Sequence, residues 1–217
     1  MRSEIIKETS NYIVLHKPAG FATQTAGLGE PDLVSEVKNY LSDKNGNRNP
    51  YIAVINRLDQ PVEGLVLVAK DEKTAAEFSR QLNNGDIEKY YQAVVFGHMP
   101  DKCGRLEDYL IKDGKANLSR VSRETDKQAK RAVLEYTVIK STKDTDTLDI
   151  RLITGRHHQI RVQLAHAGCP LLGDKKYGNE LSVRFGDDTH IGNICLKAYK
   201  MIFKDIVSGD RITCSLL

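Results

Sequence analysis

Apolar residues recur along this chain in two rhythms: short runs suited to strands, and three-and-four spacings suited to helices. Residues 12–16 (YIVLH) read as a strand ended by the turn sequence Lys17-Pro18-Ala19-Gly20. Residues 21–31, with Gly27, Gly29 and Pro31, read as a flexible surface loop. Leu33, Val34, Val37, Tyr40 and Leu41 predict a helix with Asp32 near its start, and residues 42–50 read as polar turns. Residues 53–55 predict a short strand and 64–69 (GLVLVA) a second, apolar enough to be buried on both faces. An amphipathic helix is predicted over 72–84, closed by Asn84-Gly85, and a strand over 88–96. Residues 132–139 and 147–153 alternate as an antiparallel pair. A helix is predicted from His158 to Ala167, stopped by Gly168 and Pro170, and strands over 196–203 and 211–216. Mostly sequential strands with a few inserted helices indicate an α+β fold with a largely antiparallel mixed sheet.

Composition adds few constraints. The 217 residues, 40% hydrophobic and 28% charged, suit a soluble globular chain, and residues 1–217 read as a single domain, whole or split into two lobes. No apolar run approaches the roughly 18–20 residues that span a bilayer, and no secretory signal opens the chain, so the expected location is the cytoplasm, without membrane contact. Cys103, Cys169, Cys195 and Cys214 form no C-x-x-C pair and read as buried free thiols. The net charge of +3 does not by itself imply nucleic acid, but it is unevenly spread. Residues 115–131 hold Lys115, Arg120, Arg123, Lys127, Lys130 and Arg131 against Glu124 and Asp126. Residues 151–176 hold Arg151, Arg156, Arg161, Lys175 and Lys176 against Asp174. Such stretches suit a polyanion groove, and equally a solvated face balanced by acids elsewhere.

Chemistry concentrates in three segments. In residues 56–64 (NRLDQPVEG), Asp59 sits between two apolar strands, a rigid mounting for a catalytic carboxylate and also a common turn former. In residues 88–95 (EKYYQAVV), Tyr90 and Tyr91 must point to opposite faces of their strand, so one ring at most faces a given cleft and the other packs or is solvated. In residues 154–161 (TGRHHQIR), cationic side chains crowd a helix start, a setting for phosphate or a carboxylate. His157 and His158 suggest zinc, but adjacent side chains diverge by about 100° on a helix and no further ligand stands at metal spacing.

Together these segments resemble the RluA-like family of RNA pseudouridine synthases. That family's HRLD-x-x-T-S-G motif is similar to NRLDQPVEG, followed here by LVLV and Ala69-Lys70. Its K-x-Y-x-A is matched by Lys89 to Ala93, and TGR-x-HQIR-x-x-LAH-x-G-x-P-x-x-GD-x-x-YG is matched from Thr154 to Gly178. Lys17 to Gly20 resembles the early K-P-x-G turn. The likeness runs from about residue 11 to about residue 204. It implies the catalytic fold of that family, a sheet flanked by helices around a central cleft. It also implies Asp59 as the essential acid, Tyr91 as the active-site tyrosine and Arg161 as the cation paired with the acid. Arg57, Arg156 and His158 are implied in RNA binding and base flipping. Asn56 for His and Val62-Glu63 for Thr-Ser are departures that bear on substrate contacts.

The activity implied is isomerisation of uridine to pseudouridine in tRNA or rRNA, with no cofactor, no metal and RNA as partner. The other reading is an inactive RNA-binding or RNA-chaperone module of the same fold. The chain begins close to the catalytic region, so no separate N-terminal RNA-binding domain is expected, which favours a compact tRNA or stem-loop target, and a monomer is the default.

Overall fold

A computed structural model describes residues 1–25 and 30–217. The strands are β1 (Glu4–Glu8), β2 (Tyr12–Lys17), β3 (Ala53–Val54), β4 (Glu63–Ala69), β5 (Glu88–Phe96), β6 (Cys103–Asp113), β7 (Leu118–Ser122), β8 (Lys130–Ser141), β9 (Thr145–Leu152), β10 (Leu196–Lys204) and β11 (Arg211–Ser215). The helices are α1 (Leu33–Asn45), α2 (Glu72–Asn84), α3 (Gln159–His166) and α4 (Glu180–Asp188). The α+β class expected from the element order is what forms. The chain divides into two compact units, Met1–Glu88 with Ala198–Leu217, and Lys89–Lys197.

The first unit is a sheet in the order β1-β2-β4-β10, with β3 added to β4 and β11 to β10. β2 and β4 pair antiparallel, and Leu65 to Ala69 are fully buried, as their unbroken apolarity predicts. Their core is an aromatic triad. Tyr12 of β2, Phe78 of α2 and Phe203 of β10 meet edge to face with ring centroids 5.4–5.5 Å apart, a geometry that adds to simple burial. Gly64, the second residue of β4, has φ +136°, and a Cβ there would lie 2.4 Å from the Ala198 carbonyl oxygen, so β10 can lie against β4 only because residue 64 has no side chain.

Both helices of this unit are capped by aspartate. Asp32 accepts from the Ser35 amide and Asp71 from the Thr74 amide. Gly85, in the left-handed conformation, ends α2 where expected. α1 runs on to Asn45, through part of the stretch read as turns, because Gly46 at φ +68° is the residue that stops it. Four residues of the 21–31 loop, 26–29, lie outside the described residues.

In the second unit, β5-β9-β8-β6-β7 form an antiparallel sheet. β5 alternates strictly between buried and half-buried positions, so Lys89, Tyr91, Ala93 and Val95 share its inner face. α3 packs its Val162 against Leu110 of β6 and Ala132 of β8. β1, β6, β7 and α4 are elements that the hydrophobic pattern did not reveal. β6 exposes polar residues along much of its length (GRLED), and α4 leaves Leu181 largely exposed. Neither therefore carries the apolar signature of a buried face. No helix among the described residues is long and apolar enough to cross a membrane.

Candidate active site

Asp59 sits, partly exposed, on the loop between β3 and β4, where its carbonyl accepts from the Val62 amide at 3.0 Å to close a turn. Three residues of this loop are gripped from below. The Asn56 side chain donates to the Leu65 carbonyl and accepts from the Leu67 amide, at 3.0 and 2.8 Å, so it acts as a strand partner for β4. Thr23 Oγ1 donates to the Leu58 carbonyl and accepts from its amide, at 2.9 and 3.3 Å. The Gln60 carbonyl accepts from the Gly20 amide at 2.9 Å and from Lys17 Nζ at 3.2 Å.

Lys17, fully buried, also donates to the Pro18 and Phe21 carbonyls. Its ammonium therefore staples the K-P-A-G turn to the Asp59 loop. Burial pulls its pKa down to about 8, against the opposing charges of Asp59 and Glu63. Between about pH 8 and the ordinary lysine value of 10.5, the unfolded chain holds a proton at this site that the folded chain has released. Stability should therefore rise with pH across that window, and the full penalty applies below it. Denaturant unfolding of wild type and Lys17→Met from pH 7.5 to 10.5 checks this. The wild type should gain up to about 3 kcal/mol relative to the variant, and parallel pH profiles would refute it.

Asn56 thus has a different meaning from the one its departure from the family pattern suggested. It is buried and faces β4, so it serves the loop frame rather than a substrate contact. Val62 is likewise core. Only Glu63 stays on the surface side, half-exposed and 4.0 Å from His16 Nε2. Asn56→Ala would strand the buried Leu67 amide and Leu65 carbonyl, and a loss of about 1–3 kcal/mol is expected in chemical denaturation. A change below about 0.5 kcal/mol would show that the clamp contributes little. Arg57 is exposed on the same loop.

In the second unit, Tyr91 is buried on β5 opposite Ile150 of β9, while Tyr90 is half-buried on the other face, as the strand period requires. Arg161, on α3, is 3% exposed and forks onto Asp174, with Nε to Oδ2 at 2.7 Å and Nη2 to Oδ1 at 2.8 Å. Asp174 also accepts from the Lys176 and Tyr177 amides at 3.0 and 3.3 Å. The Tyr177 ring lies 5.0 Å from the guanidinium carbon. This seat for Arg161 was not anticipated, although Asp174 and Tyr177 stand in the GD-x-x-YG segment.

The two histidines precede α3 rather than belonging to it. His158 takes φ +53°, a left-handed conformation uncommon outside glycine, and this brings its ring onto that of His157 at 3.8 Å, so the divergence expected on a helix does not apply. His158 is buried and its Nδ1 bonds the Tyr177 hydroxyl at 2.8 Å. His157 reaches Ser119 Oγ and Asn117 Oδ1 at 2.9 and 3.1 Å, tying the β6–β7 hairpin to the start of α3. Arg156 is exposed, and its Nε donates to the Arg131 carbonyl at 2.9 Å. Of the basic stretch 115–131, Arg131 is paired with Glu107, while Arg120 and Arg123 line a shallow groove of about 420 Å³ together with Val121, Ser122, Thr125 and Asp126.

Residues 11–166 match the family model for RNA pseudouridylate synthase. The chain is 32% identical over 180 residues to ribosomal large subunit pseudouridine synthase D of Zymomonas mobilis subsp. mobilis, covering 81% of this chain and 56% of that protein. It is 31% identical over 177 residues to ribosomal large subunit pseudouridine synthase C of Rickettsia bellii, covering 81% and 57%. The chain thus spans a little over half the length of these relatives. In fold it is similar to human RNA pseudouridylate synthase domain containing 4, with a TM-score of 0.83 at 20% identity, covering 99% of this chain and 88% of that one. With the family model matched over more than two thirds of its length, this chain belongs to the RNA pseudouridylate synthase family.

Proposed function

We propose that this protein isomerises uridine to pseudouridine within a folded RNA, with Asp59 as the essential carboxylate. The observation that carries this reading is the loop frame: Asp59 stays partly exposed while Asn56, Leu58 and Gln60 around it are anchored to β4, Thr23 and Lys17. An acid acting on a bound sugar must hold its position while the substrate moves, and a rigid mounting supports that.

In the reaction the bond between N1 of the uracil and C1′ of the ribose breaks. The ring turns, C5 bonds to C1′, the C5 proton is lost and N1 takes one up. The chemistry is redox-neutral and gives up no group. A stacked uridine exposes neither face of its sugar–base bond, so the nucleotide is everted first, and exposed Arg57 beside Asp59 is suited to fill or prise the stack. Asp59 acts at the sugar, as nucleophile or as base. The family resemblance assigns Arg161 to offsetting its charge, and Tyr91 to covering the ring and assisting the proton shift at C5. Arg156 and the Arg120–Arg123 groove follow the phosphate backbone. The relatives are named for ribosomal RNA, which makes that RNA the first substrate to try.

Release of tritium from RNA carrying [5-³H]uridine tests the reading, since only loss of the C5 proton frees the label. Release by purified protein, with pseudouridine in the product digest, is the expected result. Tight RNA binding with no release would leave the non-catalytic binding module in its place.

A further inference from the structure

The proposed reaction uses Asp59, Tyr91 and Arg161, and leaves one lysine with a largely buried side chain without a task. Lys89 is 9% exposed. No hydrogen bond or ion pair to its ammonium is found among the described residues, and burial pulls its pKa below the ordinary lysine value. The stem of Lys89 is covered, but its ammonium is not closed off: the buried side-chain polar atoms without a partner among the described residues are Ser3 Oγ and His16 Nε2, so Lys89 Nζ keeps an opening to solvent. Lys17 shows the contrast, with three carbonyls around its ammonium.

The surroundings of Lys89 indicate where a partner would come from. Its Nζ points at Gly155, in the exposed turn before α3, where a Cβ would stand 3.4 Å away. Gly155 has no positive φ that would require glycine. The missing side chain leaves the ammonium uncovered on that side. Along β5, Lys89 and Tyr91 are two residues apart on one face, about 7 Å at the usual rise per residue. That is the scale separating a pyrimidine ring from its own phosphate.

We infer that Lys89, reached past Gly155, is the receptor for a phosphate of the nucleotide whose base lies on Tyr91. This rests on the isomerase reading for the placement of the base, but the anion site can be tested separately. A phosphodiester carries a full negative charge before any bond breaks, so it compensates the accessible ammonium as soon as the nucleotide binds. A contact to the uracil would do so only while the ring is detached. The phosphate assignment therefore places the effect of Lys89 in binding rather than in the chemical step.

The experiment is an NMR titration of the protein with uridine 3′,5′-bisphosphate and, in parallel, with uridine. Wild type should prefer the bisphosphate by about ten-fold or more. Lys89→Met should lose that preference while binding uridine as before, and Lys89→Arg should keep much of it. Gly155→Val, which leaves the lysine and covers its ammonium, should also lose it, and serves if the Lys89→Met protein does not fold. Bisphosphate binding equal in wild type and Lys89→Met, or in wild type and Gly155→Val, overturns the proposal. So does unchanged bisphosphate affinity with a fall in kcat for tritium release, which would assign Lys89 to the uracil instead. Loss of the preference in both variants, in a protein that releases no tritium, would sink the isomerase reading and leave the phosphate receptor standing.

Discussion

Asp59→Ala is expected to lower tritium release by roughly 10⁴-fold or more, to the background of RNA without protein, because no other group can take over the role of an essential nucleophile or base. The fold should survive the change. The loop is held by the side chains of Asn56, Thr23 and Lys17 and by backbone bonds at Leu58, Gln60 and Val62, none of which needs the Asp59 carboxylate. Melting temperature and RNA affinity should stay near wild type. One further signature follows from Lys17, whose ammonium is stabilised by Asp59 and Glu63 against its burial. Removing one of these charges should move the Lys17 pKa further below 8, readable by NMR of the labelled lysine. Turnover within ten-fold of wild type would remove Asp59 from the mechanism. Lost turnover with a large fall in melting temperature would show instead that the carboxylate is part of the frame.

Elements whose apolar face is covered announced themselves in the sequence. α2 is bounded to the residue by the apolar stripe through Ala75 and Phe78 and by Asn84-Gly85 at its end, while its Asp71 cap is seen only in the structure. β5 is bounded equally well, although its strict alternation lies in burial and not in the EKYYQAVVF sequence itself. β6 and β7 stayed hidden because GRLED and LSRVS mix polar and apolar positions without one consistently covered face.

The site was legible in a different way. Asp59, Tyr91 and Arg161 emerged from the order of three motifs, since no local pattern distinguishes a catalytic aspartate from a turn former. The groups that seat those residues could not be read. Lys17 looks like part of a turn until the chain brings Phe21 and Gln60 onto its ammonium. Asn56 looked like an altered substrate contact because a motif reports identity and not direction, and the direction is into β4. The stacking of His157 on His158 depends on one residue adopting a left-handed φ, which sequence spacing does not encode.

The second large effect is expected at Asp174. Its carboxylate, 2% exposed, takes both prongs of an Arg161 guanidinium that is itself 3% exposed. Asp174→Ala leaves a buried charge facing an apolar methyl, and breaking one side of such a pair costs about 3–5 kcal/mol. It also frees the guanidinium to leave the position against the Tyr177 ring. If Arg161 is the cation that balances the catalytic acid, activity should fall more than the unfolded fraction explains. The loss should lie in kcat, with KM for RNA little changed. Asp174→Glu, which restores the charge at a different reach, should recover part of the stability and less of the rate. The decisive protein is the double variant Arg161→Met, Asp174→Leu. With both charges gone and similar volume in place, stability should return to within about 1–2 kcal/mol of wild type, because the desolvation cost of the pair disappears with the pair. Turnover should stay absent in that well-folded protein. Recovery of turnover together with stability would mean that the pair only builds α3 into its unit and that some other cation serves Asp59.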